Sequence, residues 1–91
     1  MKLIWMKRSR NDLLSIFDYI FENNPEAARQ TLVAIQNSVS ALEDFPNMGR
    51  ETGIGNTRDL VIPHLPYIVV YKANKDRVII LRVFHTSRKR D

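Results

Sequence analysis

Cysteine is absent from the 91 residues, so no disulfide framework can staple the fold and no thiolate can serve as nucleophile or ligand. That usage matches a reducing compartment, and a cytoplasmic location is expected. Histidine occurs only twice, at His64 and His85, and the carboxylates are not clustered, so neither a metal site nor a cofactor is expected. No stretch approaches the roughly 20 apolar residues that cross a bilayer. Leu3-Ile4-Trp5-Met6, closed at once by Lys7 and Arg8, is too short for the apolar core of a signal peptide, and no membrane partner is expected. Glycine is scarce and confined to Gly49, Gly53 and Gly55, which marks one loop region. There are no internal repeats. What remains is 44% hydrophobic, in a chain long enough for one modest core and too short for two. Residues 1–91 are therefore expected to form a single domain.

Charge is distributed unevenly. The last twenty residues, Lys72 to Asp91, hold seven Lys or Arg against two acids, whereas residues 1–71 hold seven against eight. The net +4 thus sits at the C-terminal end and favours an anionic partner, either nucleic acid or an acidic protein.

Lys2 to Met6 reads as a short first strand. Ser9 is placed to cap a helix, with Asp12 reaching back as the acid of a capping box. Leu13, Ile16, Phe17 and Ile20 then give an apolar face at helical spacing. Asn23-Asn24-Pro25 breaks that helix and starts a second, with Asn24 as cap and Pro25 in the first turn. The second helix has the cleanest period in the chain, Ala28, Leu32, Ile35, Val39 and Leu42, and Phe45-Pro46 ends it. Two amphipathic helices joined by a short break form an αα-hairpin whose shared apolar side must cover something. After a loop at 47–57 come three strands, Arg58 to Pro63, Tyr67 to Ala73 and Arg77 to Phe84, joined by turn-length connections. The fold class is α+β: a short N-terminal strand, an antiparallel two-helix hairpin, then a three-stranded antiparallel meander. Period two puts Val78, Ile80, Arg82 and Phe84 of the last strand on one face and Ile79, Leu81 and Val83 on the other. The helices are expected to cover the face of Leu81 and Val83. Both faces are largely apolar, so this strand is expected at the centre of the sheet, and Arg82 interrupts it.

The order of residues along the whole chain resembles the RelE/ParE superfamily of bacterial toxins. The resemblance is carried by Trp5, Asp12-Leu13, Tyr19-Ile20, Pro25 with Ala28, Leu42 and Phe45-Pro46-Asn47-Met48-Gly49-Arg50, then by three strand segments. Those are Thr57-Arg58-Asp59-Leu60-Val61-Ile62-Pro63, Pro66-Tyr67-Ile68-Val69-Val70-Tyr71, and Val78-Ile79-Ile80-Leu81-Arg82-Val83-Phe84-His85-Thr86-Ser87-Arg88. The resemblance implies the toxin half of a type II toxin–antitoxin pair, of the kind associated with plasmid stabilization. Its partner would be an acidic antitoxin that folds on binding, with operator DNA contacted only through the antitoxin. Two targets follow from the two branches: DNA gyrase for ParE-type members, and messenger RNA on the ribosome for RelE-type mRNA interferases. The Arg-Asp-Leu-Val-Ile-Pro strand and the closing His-x-x-Arg look closer to the ParE-type branch, so growth arrest through a protein target such as gyrase is the leading reading. The alternative is a ribosome-dependent endoribonuclease.

Cutting RNA through its own 2′-hydroxyl needs a base, an acid and a positive charge at one phosphate. Arg58 and Arg82 could supply the charge and His85 the proton transfer. Arg58, Arg82, His85, Arg88, Lys89 and Arg90 are in either case the candidate effector or phosphate-contact surface. Each has a plainer reading. Arg82 could pair with Asp59 or another acid across the sheet, His85 could cap a backbone carbonyl at the strand end, and Arg88 to Arg90 could be a solvated tail. Tyr67 and Tyr71 share a strand face and are expected to pack, His64 belongs to a turn, and Arg50 could cap the end of the second helix.

Overall fold

A computed structural model describes residues 1–88 of the chain. It runs β1 (Lys2–Trp5), α1 (Lys7–Phe21), α2 (Pro25–Ser40), a 3₁₀ turn (Ala41–Glu43), β2 (Arg50–Glu51), β3 (Thr57–Val61), β4 (Tyr67–Ala73) and β5 (Arg77–His85). The five strands form one sheet in the order β1-β5-β4-β3-β2. The three predicted strands do form an antiparallel meander, and β5 is an interior strand between β1 and β4, although the central position expected for it belongs to β4. The expectation of a sheet made of a three-stranded antiparallel meander alone needs correction. β1 lies parallel to β5, Lys2 opposite Arg77 and Trp5 opposite Ile80, so the sheet is mixed. The apolar β5 needs a neighbour on each side, and Lys2–Trp5 supplies the second. The predicted loop at 47–57 also contains a strand, the two-residue β2 along the outer edge of β3.

α2 follows its local signals. The Asn24 side chain accepts the Ala27 N–H at 3.0 Å, Pro25 occupies the first turn, and Ala28, Ile35, Val39 and Leu42 are buried. Each fully buried aliphatic side chain of this kind contributes about 1.5–3 kcal/mol. α1 does not follow its signals. It begins at Lys7, its cap position Met6 offers no side-chain bond, and its first turn contains no acid. Ser9 is buried and donates to the Met6 carbonyl at 2.6 Å, while Asp12 turns away from the helix altogether. The predicted capping box does not form, because Asp12 has stronger donors on β5.

The core lies between the helical hairpin and one face of the sheet. It joins Leu13, Ile35, Val39 and Leu42 to Leu60, Ile62, Val69, Tyr71, Val78, Ile80 and Val83. On β5 the expected alternation fails at one point. Val70 pairs with Arg82 but Tyr71 pairs with Ile80, which leaves Leu81 as an extra residue in a β-bulge. The bulge resets the parity, so Val78, Ile80 and Val83 all face the helices while Leu81 is only half-buried. The covered face is therefore not that of Leu81 and Val83.

Candidate functional site

β5 outruns β1, and its edge beyond Ile80 is completed by other groups. The Met6 N–H donates to the Ile80 carbonyl at 3.0 Å, and the Val83 N–H donates to Asp12 Oδ2 at 2.8 Å. The same carboxylate receives Arg82 Nε at 2.9 Å and Arg82 Nη2 at 3.3 Å. Asp12 thus satisfies a backbone donor and a guanidinium together, in a pair whose side chains are only 18% and 25% exposed. These bonds hold the Arg82 guanidinium above even its ordinary range, against the desolvation that would lower it. The guanidinium also lies 4.6 Å from the centre of the Phe84 ring, a cation–π contact. Asp59 stands in the same cross-strand row, opposite Val70, which is opposite Arg82. Two strand spacings, about 10 Å, separate the two residues, so Arg82 finds its acid on α1.

Arg58 builds a different structure at the other end of the sheet. Its Nη1 donates to the Gly49 carbonyl at 2.7 Å and the Asn47 carbonyl at 3.3 Å, and its Nη2 lies 3.5 Å from Glu51. Beside it the buried Tyr71 hydroxyl donates to the Pro46 carbonyl and accepts the Gly49 N–H, each at 2.8 Å. Residue 49 must be glycine here, since a Cβ would stand 2.6 Å from the Tyr71 ring. Burial raises the Tyr71 phenol above its usual 10.0, with the Gly49 bond and nearby Arg58 opposing. Loop 46–51 is therefore pinned from below by two side chains. It presents Met48, 48% exposed, to solvent, next to Phe45 just before it, 63% exposed. Arg50 does not cap α2. It lies on β2 opposite Asp59 and is exposed.

His85 ends β5 opposite Tyr67, their rings edge-on with centroids 5.5 Å apart. Its Nδ1 accepts the Ser87 N–H at 3.0 Å, with the Ser87 hydroxyl 2.8 Å away. In the neutral ring the proton therefore belongs on Nε2. The ring caps a backbone donor, not the carbonyl expected. Tyr67, like Tyr71, is buried, and burial followed by the Tyr19 phenol raises its pKa.

Arg58, Arg82 and His85 are not brought together. Arg58 lies opposite Tyr71 and His85 opposite Tyr67, four residues along β4, or about 13 Å. Arg82 projects from the other face of the sheet. Arg88 is exposed in the turn after β5, its N–H donating to the His85 carbonyl at 3.0 Å. Lys89 and Arg90 lie outside the described residues. Among the described residues no group of three or more His, Asp or Glu could hold a metal ion, and no helix is long and apolar enough to cross a membrane. Sequence reasoning missed Asp12 as the partner of Arg82, and it missed the exposed Met48 and Val61 beside Arg50. Val61 carried a signal: period two along a strand with Leu60 and Ile62 buried turns it to the opposite face from theirs.

The fold and sequence have clear relatives. A family model described as the ParE toxin of the type II toxin-antitoxin system parDE matches residues 3–90. Putative toxin Y4kP of Sinorhizobium fredii is 35% identical over 88 residues, covering 97% of this chain and 91% of the relative. Toxin RelE2 of Caulobacter vibrioides is 30% identical over 87 residues, covering 96% and 97%. Among solved structures, the chromosomal ParDE system from P. aeruginosa superposes with a TM-score of 0.83 at 24% identity, over 93% of this chain and 95% of that one. The Helicobacter pylori protein HP0894 gives a TM-score of 0.56 at 19% identity, over 96% of each. At these identities the structural likenesses speak to the fold.

Proposed function

The chain belongs to the ParE toxin family of type II toxin–antitoxin systems, and we propose that it arrests growth by occupying a protein target of the DNA gyrase kind. A cognate acidic antitoxin that folds on contact neutralises it, and operator DNA is reached through that antitoxin. The reading implies a cytoplasmic protein.

The observation that supports binding over RNA cleavage is the dispersal of Arg58, Arg82 and His85. General acid–base catalysis requires its groups within hydrogen-bond reach of one reacting phosphate. Here Arg58 is committed to loop carbonyls, Arg82 to Asp12, and His85 to the Ser87 turn. The basic C-terminal end, with the exposed His85 and Arg88 followed in sequence by Lys89 and Arg90, then acts as an effector surface through charge. A purified gyrase supercoiling assay beside ribosome profiling in expressing cells tests this. Loss of supercoiling without cleavage at ribosomal A sites is expected; the reverse pattern overturns it. His85→Ala should change inhibition by no more than a few-fold, and charge reversal at Arg88, Lys89 and Arg90 should weaken it more. A general acid or base is worth about 10²–10⁴-fold, so a loss of that size at His85 would mark it as catalytic.

A further inference from the structure

The outer edge of β3 is only half covered. β2 pairs Arg50 with Asp59 and Glu51 with Arg58, and there the ladder stops, because Met48, the next residue in register to meet Val61, donates its N–H to the Phe45 carbonyl at 3.1 Å instead. The Ile62 N–H donates to the Tyr67 carbonyl at 3.0 Å, and the Thr52 N–H donates to the Thr57 carbonyl at 3.1 Å. Alternation in an antiparallel ladder then turns the backbone groups of Leu60 and Ile62 toward β4, and those of Thr57, Asp59 and Val61 outward. Thr57 and Asp59 meet the β2 segment. Among the described residues nothing meets the N–H and C=O of Val61.

That gap opens into a cleft of about 490 Å³ walled largely by Ala41, Met48, Leu60, Val61 and Pro63, with the exposed Arg50 and, opposite it, the buried Asp59 at its rim. Val61 is 55% exposed, an apolar side chain on the face that alternation turns away from the buried Leu60 and Ile62. An outward donor and acceptor between apolar walls is the signature of strand addition, in which main-chain bonds supply affinity and side-chain pockets supply specificity. Pro63 has no N–H and closes the edge, so the added segment pairs over only two or three residues. A second copy of this chain fits poorly, because an antiparallel pairing of two β3 edges about Val61 would run the chain beyond Pro63 of each copy into the β2 segment that already occupies the other's edge at Asp59. The walls are already fixed by Tyr71 and Arg58, so docking orders little of this chain.

We propose that the β3 edge at Val61 receives an extended segment of the neutralising partner as a short added strand, with an apolar side chain against Met48, Leu60 and Pro63 and a carboxylate beside Arg50. The proposal rests on the toxin–antitoxin reading and names the place of contact. Its test uses the whole chain and the purified antitoxin encoded beside it, with titration calorimetry for affinity, thermal melting for folding, and amide hydrogen exchange. Val61→Pro removes the outward N–H and is tolerable on a sheet edge. It should weaken binding at least ten-fold, as should Val61→Asp, and Arg50→Glu should weaken it several-fold. Leu14→Asp and Tyr19→Asp, on the exposed side of α1, should leave it within two-fold. The Val61 amide should exchange at least ten-fold more slowly in the complex. Affinity within two-fold of wild type for a folded Val61→Pro, or unchanged exchange at Val61, overturns the proposal. If Val61→Pro fails to fold, Val61→Asp, Arg50→Glu and the exchange rate decide. A wild-type chain that neither binds the antitoxin nor arrests growth would instead sink the toxin reading, and this proposal with it.

Discussion

The two helices of the hairpin are of similar length and pack on the same sheet, yet they are held in different ways. α2 carries its own instructions. Asn24 caps it, Pro25 opens it, and one stripe of four buried side chains docks it. α1 has an uncapped start with Lys7, Arg8 and Arg10 in its first turn, where the helix dipole disfavours cations. Only Ser9 and Leu13 of its residues are buried. What fixes α1 is Asp12, reaching a strand seventy residues later in the chain. One helix is therefore stabilised by local grammar and burial, the other by a polar clamp that exists only in the finished fold.

The strongest way to break that contrast is to cut the α2 stripe. Ile35 is fully buried, and Ile35→Ala should cost about 2–5 kcal/mol of unfolding free energy in a denaturant titration. Ile16, half-buried on α1, should cost distinctly less in the same assay. Equal losses would show that the helices share the load. Next comes the clamp. Asp12→Ala strips the Val83 N–H and the Arg82 guanidinium of their acceptor, and bonds to charged groups are worth about 1.5–3 kcal/mol each. We expect a net loss in that range, since Asp12 and Arg82 keep some access to water. Amide exchange at Val83 should accelerate with it. A loss below half a kcal/mol would mean that α1 is docked by packing after all.

The same contrast explains what could be read from the chain. The cap and stripe of α2 and the β3-β4-β5 meander depend on neighbours in sequence, and they were legible. The parallel pairing of β1 with β5 joins Lys2 to Arg77, and no local pattern announces it. The bulge at Leu81 was hidden because β5 is apolar on both faces, so its alternation does not say which face turns inward; the one residue that bears on it is Arg82, which unbroken alternation would place on the buried face of Val78 and Ile80. At the candidate site, Arg82 stood out as a charge in an apolar strand, but its acceptor had been assigned to a helix cap. Arg58 was visible as a cation, whereas its partners are the carbonyls of Asn47 and Gly49, which carry no side-chain signature.

Tyr71 ties these regions to the loop. Tyr71→Phe leaves the Gly49 N–H without its acceptor in a buried setting, which should cost about 1–3 kcal/mol. A pH dependence accompanies it. The folded-state phenol is raised above 10.0, so the unfolded chain loses this proton first as pH rises. The contribution is fully present below about pH 10 and is lost as pH climbs through the folded value. Wild-type stability should therefore fall more steeply above pH 10 than that of Tyr71→Phe. Tyr67, shifted the same way, should keep some slope in the variant. Identical alkaline profiles would exclude Tyr71 as a source.

The smallest effect, and the sharpest test of the contrast, lies in exchanging the caps. Asn24→Ala removes the acceptor of the Ala27 N–H and should cost about 0.5–2 kcal/mol. Met6 occupies the corresponding position on α1 with extended backbone geometry, φ −68° and ψ 155°, which suits a capping side chain. Met6→Asp would add both a cap and an anion at the positive end of a helix whose first turn holds three cations and no acid. The dipole term is worth about 0.3–1 kcal/mol, and the cap a comparable amount. Met6 is 46% exposed, so little packing is lost in return. We expect a gain of roughly 0.5–1 kcal/mol by denaturant titration, shrinking with added salt as the charge component is screened. A loss on Met6→Asp would show that the Met6 side chain itself, and not only the Asp12 clamp, holds the start of α1 against the sheet.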